Sequence, residues 1–124
     1  MATFRLIVDD VDAALAFYQG HLGFSLKQRM GPVFAQIERD GLEVWVSGPG
    51  TSARKPMPDG REPVPGGWNR LVVQVDDIHA MVKTLRDAGI AFRNEPLSGP
   101  GGTQVLIEDP SGNPIEVFQP ARLS

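Results

Sequence analysis

Ile7-Val8-Asp9-Asp10-Val11 recurs as Gln74-Val75-Asp76-Asp77-Ile78, an offset of 67 residues, and this repeat decides the architecture. After each copy the apolar residues follow helical spacing. Val11, Ala14, Leu15, Tyr18 and Leu22 form one stripe, and Ile78, Met81, Val82, Leu85 and Ala88 form another. Each aspartate pair sits where a helix has to begin, and a short carboxylate there accepts orphan amide hydrogens of the first turn. Capping, rather than chemistry, is therefore the role expected of these acids. Gly23 and Gly89 supply the left-handed turn that stops each helix.

Working outward, the second halves also match. Phe34-Ala35-Gln36-Ile37-Glu38 meets the turn signal Asp40-Gly41 and then Leu42-Glu43-Val44-Trp45-Val46. Gln104-Val105-Leu106-Ile107-Glu108 meets Asp109-Pro110-Ser111-Gly112-Asn113 and then Pro114-Ile115-Glu116-Val117-Phe118. Each reads as strand, tight turn, strand. Glu43 and Glu116 correspond at an offset of 73, so the second copy carries extra residues, expected in Ser98-Gly99-Pro100-Gly101-Gly102.

The chain thus reads as a single α+β domain over residues 1–124 made of two βαβββ modules, the first over 1–48 and the second over 67–124. Residues 49–66 form a connection rich in proline and glycine that also holds Arg54, Lys55 and Arg61. A segment of this length without secondary structure serves as a linker or as a lid, and its composition fits either.

Composition narrows the function classes. With 124 residues and 41% hydrophobic content the chain can bury a real core. A net charge of -3 with scattered basic residues argues against a nucleic-acid partner. The absence of cysteine removes disulfides, thiolate metal sites and cysteine nucleophiles. No secretory apolar region opens the chain and no long apolar run follows, so the expectation is a cytoplasmic protein with no membrane partner.

A doubled βαβββ unit resembles the vicinal-oxygen-chelate (glyoxalase/bleomycin resistance protein/dioxygenase) superfamily. Asp10 to Tyr18 followed by Leu22-Gly23-Phe24 is similar to that family's first-helix signature, and Asp109 to Gln119 to its closing hairpin. The resemblance spans nearly the whole chain and implies eight strands curling around a concave cavity. It also implies a homodimer, either paired or module-swapped, since relatives complete their cavities with modules from two chains.

In metal-dependent relatives the cavity holds one divalent ion on four side chains, from the first and last strand of each module. Carried onto this sequence, those positions are Thr3, Glu43, Arg70 and Glu116. Here the chain departs from the pattern. An arginine offers only donors and keeps its charge, so it repels a cation instead of ligating it. The two histidines, His21 and His79, fall on the helices. Neither a metal nor any other cofactor is expected. Half-buried glutamates need a compensating partner, and Arg70 beside Glu116 or Glu43 would supply one.

Strand alternation extends the implied cavity face. With Thr3 and Arg70 facing inward, Arg5, Ile7, Val72 and Gln74 follow, and on the last strands Glu43, Trp45 and Ser47, and Glu116 and Phe118. The expected ligand-binding set is Thr3, Arg5, Glu43, Trp45, Arg70, Gln74, Glu116 and Phe118. Trp68 fits a hinge anchor or a cavity rim. Arginines, glutamates and aromatics together suit a small organic molecule with polar and planar parts. The reading favours metal-free binding, as in drug sequestration. Catalysis without a metal by Glu43, Glu116 and Arg70 ranks second, and a lyase, isomerase or dioxygenase with a degenerate metal site third.

Overall fold

The computed structural model describes residues 2–122. Its elements run in order β1 (Thr3–Ile7), α1 (Val11–His21), β2 (Ser25–Met30), β3 (Phe34–Arg39) and β4 (Leu42–Ser47), then β5 (Leu71–Gln74), α2 (Ile78–Asp87), β6 (Leu97–Gly99), β7 (Gly102–Glu108) and β8 (Pro114–Pro120). The chain divides into two compact units, one up to Gly66 and one from Gly67. Each is a βαβββ module with its own four-stranded sheet, ordered β1-β4-β3-β2 in the first and β5-β8-β7-β6 in the second. The first strand of each module pairs in parallel with its last, and the other pairings are antiparallel.

The helix boundaries follow from local chemistry. Asp10 is the N-cap of α1 and its carboxylate accepts from the Ala13 amide at 3.1 Å. Asp77 does the same for α2 through the Ala80 amide at 3.0 Å. Gly23 (φ 71°) and Gly89 (φ 77°) then turn the chain left-handed just past each helix. The stripe of α1 is buried as expected, from Val11 through Ala14, Leu15 and Tyr18 to Leu22. In α2 the stripe is narrower. Ile78, Val82 and Leu85 are buried, but Ala88 is the exposed C-cap, because the helix ends at Asp87.

The strands alternate. Leu6 and Val8, Ala35 and Ile37, and Val44 and Val46 are buried in the first unit, where α1 packs on β4. Leu71 and Val73, Val105 and Ile107, and Ile115 and Val117 do the same in the second, where α2 packs on β8. The opposite face of each sheet carries Thr3, Arg5 and Trp45, or Val72, Gln74 and Phe118, all half-buried or exposed.

Asp40 (φ 49°) and Gly41 (φ 82°) form the two-residue turn between β3 and β4, with both central residues left-handed. Its counterpart in the second unit spans 109–113. The extra residues of the second module are therefore not confined to 98–102. Some lengthen this turn, and others lie before β6, where an isolated bridge joins Phe92 to Ile107. Ser98, Gly99 and Gly102 are themselves strand residues. A backbone tether explains the break after Phe92: the Asn94 carboxamide accepts from the Leu106 amide at 2.9 Å, in place of a ladder bond.

Beyond β4 the connection holds one short 3-10 turn, Ser52–Arg54. Its Arg54 Nη1 donates to the Val8 carbonyl at 2.7 Å, so this end of the connection is fastened to the end of β1.

Candidate functional site

Each unit places one acid of its last strand on the face away from its helix, and each supplies that acid with a cation. In the first unit Glu43 lies directly across from Thr3 in the β1–β4 ladder and from Glu38 in the β3–β4 ladder. Its Oε1 accepts from Lys27 Nζ at 2.5 Å and its Oε2 from Trp45 Nε1 at 2.8 Å. The Glu43 side chain keeps only 11% of its exposure, whereas Lys27 keeps 47%. Hydrogen bonds from Lys27 and Trp45 outweigh the opposing effect of burial and hold the Glu43 carboxyl below its ordinary value of 4.5. The hydrogen bond to Glu43 and its negative charge raise Lys27 above its ordinary 10.5.

Lys27 is a site residue that strand alternation around Glu43 does not reveal. Every residue of β2 is exposed, so the strand has no period to read, and the ladder shifts register between Leu26 and Gln28 at the point where Lys27 sits. The only available signal is chemical: a buried glutamate demands a partner.

Two residues along, Trp45 is half-buried and meets Phe34 edge to face at 6.0 Å. The Arg5 guanidinium lies 5.1 Å from the Trp45 ring centre, and its Nη1 donates to the Ser47 hydroxyl at 3.1 Å. Arg5, Glu43, Trp45 and Ser47 thus share one face of one sheet, with Thr3 at its edge.

In the second unit Arg70 Nε and Nη2 both donate to Glu116 Oε1, at 3.1 and 3.0 Å. Arg70 lies one residue before β5, and the residue directly across from Glu116 is Val72. The parallel register is therefore two residues off that of the first unit. Because residues 70 and 72 share a face, the long guanidinium side chain spans the difference. Gln74 lies on the same face, across from Phe118. Phe118 and Gln104 help line a pocket of about 230 Å³ against the β6–β7 hairpin. Trp68 is 70% exposed and Arg93 lies over its ring at 4.7 Å. Arg93 also reaches Glu108 and the carbonyls of Gly67 and Gly112, so it anchors the entry to β5.

The donors do not fit a divalent ion. In the first unit Thr3 offers a hydroxyl and Glu43 already holds an ammonium, and in the second Arg70 offers a cation, Val72 nothing, and Glu116 already holds a guanidinium. Among the described residues no three of histidine, cysteine, aspartate or glutamate lie close enough together to hold a metal. His21 lies at the end of α1, where its ring meets Phe17 at 5.7 Å, and His79 is exposed in the first turn of α2.

The Lys27–Glu43 pair carries a pH signature. Its contribution from Glu43 is present above that group's ordinary 4.5 and is lost as pH falls through the lowered folded value. Its contribution from Lys27 is present below 10.5 and is lost as pH rises through the raised one. The gap in urea midpoint between the parent and Lys27→Met is thus expected to be widest between those limits and to close outside them. A gap that stays constant from pH 3 to pH 11 would show that the pair contributes through packing alone.

Comparison with known proteins places the fold. Virulence protein STM3117 of Salmonella typhimurium is 26% identical over 121 residues, covering 92% of this chain and 79% of that protein. TnmS3, an antibiotic binding protein from Streptomyces sp. CB03234, superposes with a TM-score of 0.72 at 26% identity, over 96% of this chain and 93% of that one. Lactoylglutathione lyase from Agrobacterium tumefaciens superposes with a TM-score of 0.75 over 96% of this chain and 92% of its own, at 22% identity, a likeness of fold alone. Among the described residues no helix is long and apolar enough to cross a membrane. The profile of the Glyoxalase/Bleomycin resistance protein/Dioxygenase superfamily matches residues 1–117, and the chain belongs to that superfamily.

Proposed function

We propose that this protein binds a small organic molecule with a planar part, without a metal ion, in the manner of drug sequestration, and that it does so as a cytoplasmic homodimer. The observation that carries this is the saturation of both strand-end acids by cations of their own unit, Lys27 on Glu43 and Arg70 on Glu116. Groups committed in this way are poor ligands for a metal, while Trp45 with Phe34 in the first unit, and Phe118 in the second, each offer flat apolar surface beside polar groups. The antibiotic binding relative supports the same reading.

Catalysis with Glu43 as general base is the weaker reading. A carboxylate held below its ordinary pKa is a poor proton acceptor near neutrality, where catalytic carboxylates are raised.

The test uses 2-(hydroxymethyl)anthraquinone, an uncharged planar probe. It is expected to quench tryptophan emission in the parent and in Trp68→Phe, with the quench lost in Trp45→Phe. Sedimentation of the same samples is expected to show probe absorbance moving with a species of twice 13.5 kDa. No quench, or a quench lost only in Trp68→Phe, would overturn the placement of the ligand at Trp45. A monomer that binds the probe would overturn the dimer.

A further inference from the structure

We infer that the first unit selects a planar ligand that carries an anionic group, with Arg5 as the residue that recognises the charge. The inference rests on the binding reading above and names the chemical class of the ligand.

The argument starts from where the charges are spent. At the Glu43 end of the sheet face, Lys27 answers Glu43, and Glu38 lies opposite Glu43 in the ladder. At the other end the cross-strand partners are Gln28 with Gln36, Met30 with Phe34, and then Trp45 and Ser47, none of them charged. Arg5 enters this neutral end from β1, directly across from Trp45. Among the described residues its partners are a hydroxyl and an aromatic face, and none of the ion pairs there includes it.

A guanidinium has five N–H donors and no acceptor. Ser47 takes one of them, so an edge with two parallel donors is left for an incoming carboxylate or sulfonate. The group is also held in place. Ser47 is fully buried and fixes Nη1, and the Trp45 ring supports the plane from below. An arginine with its rotamer already restricted loses less entropy on binding than a free one on a surface. Met30, half exposed beside Phe34, extends the apolar floor next to the charge. A flat apolar body with one anionic group matches a floor with one unanswered cation.

Three matched probes test this by calorimetric titration: anthraquinone-2-carboxylate, 2-(hydroxymethyl)anthraquinone and 2-(aminomethyl)anthraquinone. The parent is expected to bind the carboxylate about tenfold tighter than the alcohol, with the ammonium weakest, and the ratio is expected to shrink as salt rises. Arg5→Met is expected to bring carboxylate and alcohol within about twofold of each other, and Arg5→Lys to keep part of the ratio. Thermal melts of both variants check that they fold. If the alcohol binds and the carboxylate binds no better, or if Arg5→Met keeps the full ratio, the inference is wrong while the binding reading stands. If no probe binds, both fall.

Discussion

Asp109→Ala is expected to lower stability by about 3 kcal/mol, read as a shift in the urea midpoint with an unchanged slope. Asp109 is 5% exposed and sits at the start of the turn between β7 and β8. One carboxylate oxygen accepts from the amides of Ser111 and Asn113, at 2.8 and 2.9 Å, and the other from the Asn113 carboxamide at 3.0 Å. These are charge-assisted bonds in a site with little water, and alanine would leave the Asn113 amide buried without its acceptor. The turn also aims β8, which carries Glu116 and Phe118. Asp109→Asn keeps the shape and one acceptor oxygen, so a loss of only about 1 kcal/mol is expected there. An alanine variant within 1 kcal/mol of the parent would show that the backbone holds the turn unaided.

The second large effect falls on the Arg70–Glu116 pair. Arg70→Ala removes both guanidinium hydrogen bonds from a carboxylate whose side chain is 11% exposed. Breaking a fully buried pair from one side costs about 3–5 kcal/mol. Arg70 is itself 29% exposed, so water can replace part of what is lost, and about 2 kcal/mol is expected. Adding Glu116→Gln to Arg70→Ala removes the stranded charge and should recover at least half of that loss. A double-mutant cycle separates the pair from its surroundings. Strict additivity of the two changes would mean that the ion pair seen here contributes nothing to the folded state.

How far the sequence could be read is clearest from particular residues. Asp10 and Asp77 were legible as helix caps because capping is local: one carboxylate, one amide three residues on, and an apolar stripe to follow. Asp40-Gly41 was legible for the same reason. Glu43 and Glu116 could be placed on the last strands because the repeat aligns the two modules, and Arg70 could be named as a candidate partner because the family resemblance puts it at a cavity position. What escaped was set by contacts distant in sequence. Lys27 lies on a strand exposed along its whole length, and only the fold brings its ammonium to Glu43. The two-residue difference in parallel register between the units is likewise invisible, since parity survives a shift of two and every side chain keeps its face. The glycine-rich stretch 98–102 points to a single insertion, whereas the extra residues fall both before β6, where Asn94 is tethered to Leu106, and in the turn at 109–113.

The parallel pairing of each module's first strand with its last sets an order of events. Among the described residues β1 has no strand neighbour other than β4, and β5 none other than β8. Thr3 therefore waits for Glu43, and Leu71 for Ile115, before either ladder can close. The hairpins between them join residues close in sequence and close loops faster. During synthesis the edge of β1 consequently stays open until β4 has left the ribosome, and Arg5 meets Trp45 only in that final closure. The face that joins Arg5 to Trp45 is thus complete only when β1 has paired with β4, so a nascent or clipped chain that ends short of β4 carries no partial version of it.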